Sequence, residues 1–344
     1  MTQMYLKAIY AGYKKRRIRR YTVSSLLFFL VLGLCTLMLV KGNTDYTLST
    51  VFKVLQGEKI QGATYAVLAI RLPRMLVGLL AGIAFGMSGN TFQTMLKNPL
   101  ASPDIIGIAA GSSAAAVFCI LMLHLSGGIV SFAALIAGLV VALLVYALSQ
   151  GGRFSGGRLI LIGIGMQAML GAVVSYMLLK GSEYDVPSAM RWMRGSLNGA
   201  QMQDVPTLLV AVCVCGFGIV LFTRHLGILE LGEDTATTLG LRANITRVLL
   251  IMFAVLLISF ATAATGPIAF VAFLAGPIAR KLAGAGAVSA VPAGLTGALL
   301  VLGADLIGQF AFAARYPVGV ITGILGAPYL IFLLIRVNRK GGAA

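Results

Sequence analysis

Residues 22–40 have the sequence TVSSLLFFLVLGLCTLMLV, and this stretch decides the fold class of the chain. It contains 19 consecutive residues without a charged side chain, and a transmembrane helix needs about 20 predominantly apolar residues. The stretch is too long for the apolar core of a typical secretory signal, and no small-residue cleavage site follows it. It therefore predicts a membrane span that is retained in the protein.

Similar apolar stretches recur along the rest of the chain. Nine further segments are predicted, at about 75–96, 104–123, 128–148, 158–179, 205–223, 246–265, 267–283, 288–310 and 318–336. The composition agrees, since 59% of the 344 residues are hydrophobic and 11% are charged, and the mean hydropathy is +0.95. Such values exclude a water-soluble enzyme and a disordered chain. We predict an all-α polytopic membrane protein with about ten transmembrane helices.

The charge pattern predicts the orientation. The chain carries a net charge of +17, which is compatible with nucleic-acid binding or with the Lys and Arg excess of cytoplasmic loops. Lys14, Lys15, Arg16, Arg17, Arg19 and Arg20 directly precede the first span, so a topology anchor is favoured and no nucleic-acid partner is expected. An even number of spans places both termini in the cytoplasm. We expect a basic cytoplasmic segment at 1–21 and a single transmembrane domain at 22–340.

Two pairs of arginines lie at span ends on the predicted outer side, where the orientation rule gives no reason for them. They are Arg71 with Arg74 and Arg191 with Arg194. One interpretation is that these side chains reach toward lipid headgroups. The other is that their guanidinium groups bind an acidic partner protein. The pattern alone leaves both open.

Catalytic and metal-binding patterns are absent from the sequence. It has no GxxxxGK[ST], HExxH or GxSxG motif, and the predicted topology separates His124 from His225. The four cysteines, Cys35, Cys119, Cys213 and Cys215, lie in apolar segments and are interpreted as small buried hydrophobic residues. We expect no enzymatic activity, no metal site and no cofactor in this chain. Asp305, an acid within an apolar segment, predicts either a structural ion pair or a cavity-lining group.

The longest polar stretch on the predicted cytoplasmic side is 224–247. Glu233 and Asp234 favour the start of a short helix, and Gly240 favours its end. A structured loop of this length predicts contact with a cytoplasmic partner.

Several motifs together resemble the FecCD/BtuC-type permease family, the membrane subunits of ATP-binding-cassette (ABC) importers for ferric siderophores, haem and cobalamin. They are RLPR at 71–74, NPLASPDIIG at 98–107, LGE at 231–233 with LG at 239–240, GPIAFV at 266–271, AD at 304–305, PVGV at 317–320 and GAP at 326–328. They occur in order over roughly 65–340 and at family-like spacing. The resemblance implies a BtuC-like type II importer permease with ten helices.

The resemblance also implies partners and roles for particular residues. Two permeases would form a dimer above a cytoplasmic dimer of ABC ATPases, which bind ATP and Mg, and an extracytoplasmic solute-binding protein would dock on the outer face. Docking would involve Arg71, Arg74, Arg191, Arg194 and Arg315. Asn98, Leu100, Gly156 and Gly157 would form two gates. Contact with the ATPase would involve a segment near 226–243 and its residues Glu230, Gly232, Glu233, Asp234, Ala236, Leu239 and Gly240.

Two positions depart from the family pattern. GPIAR at 276–280 lacks a histidine that many members carry, and Gln309 replaces a frequent arginine. Arg315 or a non-identical second permease could compensate for the second departure. We therefore expect a multi-pass protein of the bacterial inner membrane that imports a ferric siderophore. The alternatives are haem or cobalamin as substrate, an ion-coupled secondary transporter, and an intramembrane enzyme or scaffold.

Overall fold

The computed structural model describes residues 2–99, 101–150, 156–284 and 290–341, and within these ranges it contains helices and no strand. The first seven helices are α1 (Thr2–Val40), α2 (Leu48–Leu55), α3 (Ala63–Met95), α4 (Ile108–Leu121), α5 (Gly128–Ser149), α6 (Gly156–Lys180) and α7 (Val186–Met193). The remaining helices are α8 (Asp204–Leu221), α9 (Thr223–Glu230), α10 (Glu233–Thr238), α11 (Ala243–Thr265), α12 (Val271–Ala283), α13 (Ala290–Phe310) and α14 (Val318–Gly341).

Each of the ten predicted spans coincides with one of these helices. Within the described residues, seven helices are long and apolar enough to cross a membrane: α1, α3, α5, α6, α8, α11 and α13. The shorter apolar helices are α4 and the Val318–Leu333 part of α14, and α12 has 13 residues. The all-α polytopic membrane fold is confirmed.

Two helices extend beyond the apolar segments that predicted them. Helix α1 begins at Thr2, because the Lys and Arg residues that precede the span are good helix formers. Helix α3 begins at Ala63 and passes through a π-helical turn at Ala66–Arg71, directly before Pro73. Proline has no N–H to donate, and irregular turns in long helices are often found beside it. Because Arg71, Pro73 and Arg74 interrupt the apolar pattern, the sequence predicted the start of this span only at residue 75.

Close helix packing accounts for the glycines of α3. A Cβ atom placed on Gly82 would lie 2.5 Å from the Ala298 Cα, and one on Gly86 would lie 2.2 Å from the Ala293 carbonyl oxygen. Glycine at these positions lets the backbones of α3 and α13 approach each other, as small residues do at helix interfaces in membranes. This contact fixes α13 against α3 and so brings Asp305 toward the start of α3.

Burial of the four cysteines was predicted, and it is observed for three of them. Cys35, Cys119 and Cys215 are buried as predicted, whereas Cys213 is exposed. Cys213 lies in the π-helical turn Val212–Gly216 of α8, two positions before the buried Cys215, so the two side chains leave the helix on different sides.

Candidate functional site

The end of the bundle that carries residues 41–47 and 194–203 is named the outer end here, after the predicted orientation. An ion pair joins α3 to α13 at this end. Arg74 donates from Nε to Asp305 Oδ2 at 2.8 Å and from Nη2 to Asp305 Oδ1 at 2.7 Å. Asp305 also accepts from Gln309 Nε2 at 2.7 Å, and Arg74 Nη1 donates to Asn198 Oδ1 at 2.6 Å. Asp305 is 1% exposed. Of the two roles predicted for it, the structure therefore shows the structural ion pair.

Arg71 is buried and contacts the end of the first span. Its Nη1 donates to the carbonyl oxygens of Leu39 at 2.9 Å and Val40 at 2.8 Å, and its Nη2 donates to that of Thr44 at 2.6 Å. Its guanidinium carbon lies 4.9 Å from the centre of the Tyr46 ring. A cation that binds the last carbonyl groups of a helix stabilises its C-terminus. Arg71 therefore holds the 41–47 loop against α1.

The other three arginines predicted for docking are exposed. Arg191 and Arg194 lie at the end of α7, where Arg191 donates to Ser188 Oγ at 3.1 Å. Arg315 lies in the loop between α13 and α14 and donates to Asn43 Oδ1. Arg191 and Arg315 therefore remain exposed despite these contacts, whereas the guanidinium groups of Arg71 and Arg74 are largely shielded and each bind several partners within the chain.

A cavity of about 220 Å³ brings three of the five predicted docking arginines together. Its lining includes the basic side chains Lys41, Arg71, Arg74 and Arg315. Beside it, the hydrogen bond and positive charge of Lys41 lower the pKa of the exposed Asp45 carboxyl. Arg191 lines a separate cavity of about 570 Å³, and Arg194 lines neither of the two. The first cavity is positively charged, which favours an anionic group.

The predicted gate residues lie at the inner end of the bundle. The Asn98 N–H donates to the Gln93 carbonyl at 3.0 Å, and the Asn98 carbonyl accepts from the Ala101 N–H at 3.1 Å, which forms a tight turn after α3. Leu100 lies outside the described residues. Gly156 and Gly157 begin α6.

Gly156 lies beside the end of α3. A Cβ atom on Gly156 would lie 2.9 Å from Leu96 Cδ2, so a larger residue at 156 would require the Leu96 side chain to shift. A cavity of about 230 Å³ is lined by Gly156 and also by Lys97, Glu233 and Arg247. One predicted gate residue, Gly156, therefore lies in the same cavity as Glu233 of the predicted ATPase-contact segment.

The predicted ATPase-contact segment folds as the two short helices α9 and α10. Gly232 separates them at a φ of 122°, a left-handed conformation that favours glycine, and Gly240 follows α10 at a φ of 80°. Glu233 accepts from Arg247 Nη2 at 3.1 Å, and Ala236 is fully buried. These residues fix α10 to the start of α11. The short helix predicted between Glu233 and Gly240 is confirmed.

A second, longer-range ion pair connects α9 to α12. The Glu230 Oε1 atom lies 4.0 Å from Arg280 Nη1, and Arg280 Nη2 donates to Thr94 Oγ1 at 3.1 Å near the end of α3. Arg280 therefore contacts both the first short helix and the helix that ends in the gate turn.

Sequence reasoning missed several residues of this inner surface. No role was predicted for Arg247 or Arg280, whose partners are 14 and 186 residues away in the chain. Leu231 entered only as part of the LGE motif, and the structure shows that it is 64% exposed and that Leu239 is 62% exposed. Two leucines in a polar cytoplasmic loop were the available signal, because exposed apolar residues can mark contact surfaces.

The helical bundle and its two polar ends define a polytopic α-helical membrane permease. A sequence model of the FecCD transport family matches residues 28–336, and the chain belongs to this family. It is 38% identical to the ferric enterobactin transport system permease protein FepG of Escherichia coli K12, over 87% of this chain and 91% of that protein. It is 36% identical to the achromobactin transport system permease protein CbrC of Dickeya dadantii, over 94% and 95% of the two chains.

A solved structure supports the same assignment. The fold matches a structure described as an inward-facing ABC transporter of the metal-chelate type, with a TM-score of 0.80 and 25% sequence identity. The match covers 92% of this chain and 99% of the other. The alignment includes nearly all of both chains, so the helical arrangement described above is shared with that transporter.

Proposed function

We propose that this chain is the permease subunit of an ATP-driven importer that carries a ferric siderophore into the cytoplasm. The observation that carries the proposal is the similarity, over most of both chains, to permeases for ferric enterobactin and achromobactin. Permeases for iron citrate and iron hydroxamate are also similar, at 34% identity. The substrates of these relatives share Fe³⁺ bound by an organic chelator, which makes an iron chelate the proposed substrate class.

At the inner end, α9 and α10 are the proposed contact with a cytoplasmic dimer of ABC ATPases. Leu231 and Leu239 are exposed on this segment and would insert into an apolar groove of the partner. Glu233 and Arg247 connect α10 to α11, and Glu230 and Arg280 connect α9 to α12. A displacement of the two short helices by the ATPase would thus reach the long helices through ion pairs.

At the outer end, Arg191, Arg194 and Arg315 are the proposed contacts for acidic residues of a solute-binding protein. Their exposure leaves the guanidinium groups accessible to carboxylates. Arg71 and Arg74 were predicted for the same role. Their hydrogen bonds within the chain support a different proposal, in which they hold the docking surface in shape.

The proposed assembly contains a second permease, either a copy of this chain or a homologue, in the bacterial inner membrane with both termini in the cytoplasm. ATP and Mg would be bound by the ATPase partner, and this chain would need no cofactor. Gly156 lines one cavity with Leu229 and Glu233 of the ATPase-contact segment, which supports an inner gate whose opening follows ATP binding.

Reconstitution tests this proposal. The chain would be purified with the proteins that co-purify from its native membrane, placed in proteoliposomes, and supplied with a radiolabelled ferric siderophore, its binding protein and internal ATP. We expect uptake that requires ATP and the binding protein. Uptake by this chain alone, driven by a proton or sodium gradient, would establish a secondary transporter instead. ATP-dependent uptake of haem or cobalamin but no siderophore would change the substrate and keep the importer class.

A further inference from the structure

The residues that precede the first span form a basic helix that is continuous with this span. The family match begins at residue 28, whereas α1 begins at Thr2 and continues without interruption to Val40. No acidic residue occurs in the first 40 residues, and the stretch 14–20 contains six Lys or Arg residues. Within the described residues, none of these six side chains forms a salt bridge.

Arg19 fixes the rotation of this helix. Its Nε donates to the Leu282 carbonyl at 2.9 Å, and its Nη2 donates to the Lys281 carbonyl at 3.2 Å. These carbonyl groups end α12, and a guanidinium group is a favourable partner for a helix C-terminus. The Arg19 face of α1 therefore points toward the protein.

Arg17 and Tyr21 lie on the opposite face of α1. Each is two residues from Arg19, which corresponds to about 200° of rotation at 3.6 residues per turn. They are four residues apart and so lie on one side of the helix. The guanidinium carbons of Arg17 and Arg20 lie 5.7 Å and 5.5 Å from the centre of the Tyr21 ring. Arg17 and Tyr21 are exposed, Arg20 is half-buried, and the Tyr21 ring lies close to both guanidinium groups.

The depth of these residues indicates their ligand. Tyr21 directly precedes the apolar span, and Arg17 lies one helical turn, about 6 Å, before it. The headgroup layer of a bilayer is about 5–7 Å thick on each side, so we expect the side chains of Arg17 and Arg20, which precede the span by up to four residues, to lie within this layer. Tyrosine is enriched at this level. Guanidinium groups bind phosphate oxygens in a two-point geometry that an ammonium group cannot provide.

We propose that Arg17, Arg20 and Tyr21 form a binding site for the phosphate headgroup of an anionic phospholipid in the adjoining leaflet. This leaflet is the cytoplasmic one in the orientation given above. The site follows from the position of the residues in a membrane and does not depend on the transported substrate. A lipid bound there would contact the helix that Arg19 connects to the end of α12, close to Arg280 and the ATPase-contact segment.

Native mass spectrometry of the full chain tests the site. The purified protein would be equilibrated in detergent with equal amounts of phosphatidylglycerol and phosphatidylcholine, and the retained lipids would be counted. We expect preferential retention of phosphatidylglycerol that falls about fivefold or more in Arg17→Gln/Arg20→Gln. The matched control is Lys14→Gln/Lys15→Gln, which removes the same charge farther from the span and should change retention less than about twofold.

Further variants separate a defined site from general attraction to positive charge. Arg17→Lys/Arg20→Lys retains the charge and should still lose part of the retention, because lysine lacks the planar guanidinium group. Equal loss of lipid retention in both double-glutamine variants, or full retention in the double-lysine variant, would overturn the site.

Competition by soluble glycerol 3-phosphate, at a concentration similar to that of the lipid, would assign the site to a free phosphate ligand. Unchanged lipid retention with lost ATPase co-purification would assign the arginines to a protein partner. Tyr21→Leu, which keeps both arginines, provides a second test if the double variants do not fold.

Discussion

Arg74 and Asp305 form a two-point ion pair across 231 residues of sequence, with both guanidinium-to-carboxylate distances below 2.9 Å. The pair lies where the first part of α3 meets the last part of α13, and it is almost entirely shielded from solvent. Arg74 was predicted to contact the solute-binding protein, and the structure shows that it also connects two spans. The outer surface therefore depends on the internal arrangement of α3 and α13.

Removal of the carboxylate should destabilise this end of the bundle. Asp305→Leu leaves the Arg74 charge without its partner in a site of low exposure, and breaking such a pair typically costs about 3–5 kcal/mol. We expect a lower melting temperature of the purified protein and lower expression. The double variant Arg74→Leu/Asp305→Leu should recover most of the loss, because no unpaired charge remains. Equal melting temperatures for the single variant and the unaltered protein would show that the pair is not structurally important.

The five outer arginines should separate into two groups under substitution. Arg71→Leu removes hydrogen bonds to three carbonyl groups, so we expect a loss of thermal stability, since each bond to a charged group contributes about 1.5–3 kcal/mol. Arg315→Glu changes an exposed residue, so we expect an unchanged melting temperature and weaker association with the solute-binding protein. Thermal unfolding and binding-protein pull-down measure the two effects. A loss of binding without a loss of stability in Arg71→Leu would restore Arg71 to the docking group.

The sequence was sufficient to predict the all-α membrane fold and the short helix that begins at Glu233, because long apolar segments and helix-end residues are local signals. It could not distinguish the roles of Arg71 and Arg74. The two arginines are three residues apart, and their partners are the end of α1 and a residue of α13. Those partners are determined by packing between distant segments. The same reason explains why Arg247 and Arg280 were missed at the inner end.

Charge reversal at Glu233 should break the ion pair that connects the ATPase-contact segment to α11. Glu233→Lys replaces the ion pair between Glu233 and Arg247 with two neighbouring cations, and loss of a partly buried partner costs about 1–3 kcal/mol, or roughly fivefold to 150-fold in an equilibrium constant. We expect reduced siderophore uptake and reduced ATPase co-purification. Arg247→Glu in the same chain restores opposite charges and should recover part of both. Normal uptake by Glu233→Lys, at normal expression, would contradict a role for this pair in coupling.

Replacement of an exposed leucine in the ATPase-contact segment should weaken ATPase binding without a change in folding. Leu239→Asp replaces an apolar side chain that is 62% exposed, and surface substitutions of this kind usually change stability by less than about 0.5 kcal/mol. We therefore expect the melting temperature to stay the same while the ATPase no longer co-purifies. Ala236→Asp provides the contrast, because that residue is fully buried and its replacement should reduce stability. Retention of the ATPase by Leu239→Asp would place the partner elsewhere.

Two glycine-to-alanine substitutions should differ sharply, although each adds a single methyl group within a span. A Cβ atom on Gly86 would lie 2.2 Å from the Ala293 carbonyl oxygen, whereas one on Gly171 would have no atom within 4 Å. Gly86→Ala forces the backbones of α3 and α13 apart, and overpacking of this kind costs about 1–3 kcal/mol. Gly171→Ala should be neutral or slightly stabilising, because alanine restricts the unfolded chain and favours the helix. Thermal unfolding of the two purified variants in the same detergent measures the difference. Equal stabilities would mean that α3 and α13 can separate at little cost, and the Arg74–Asp305 pair would then be the main connection between them.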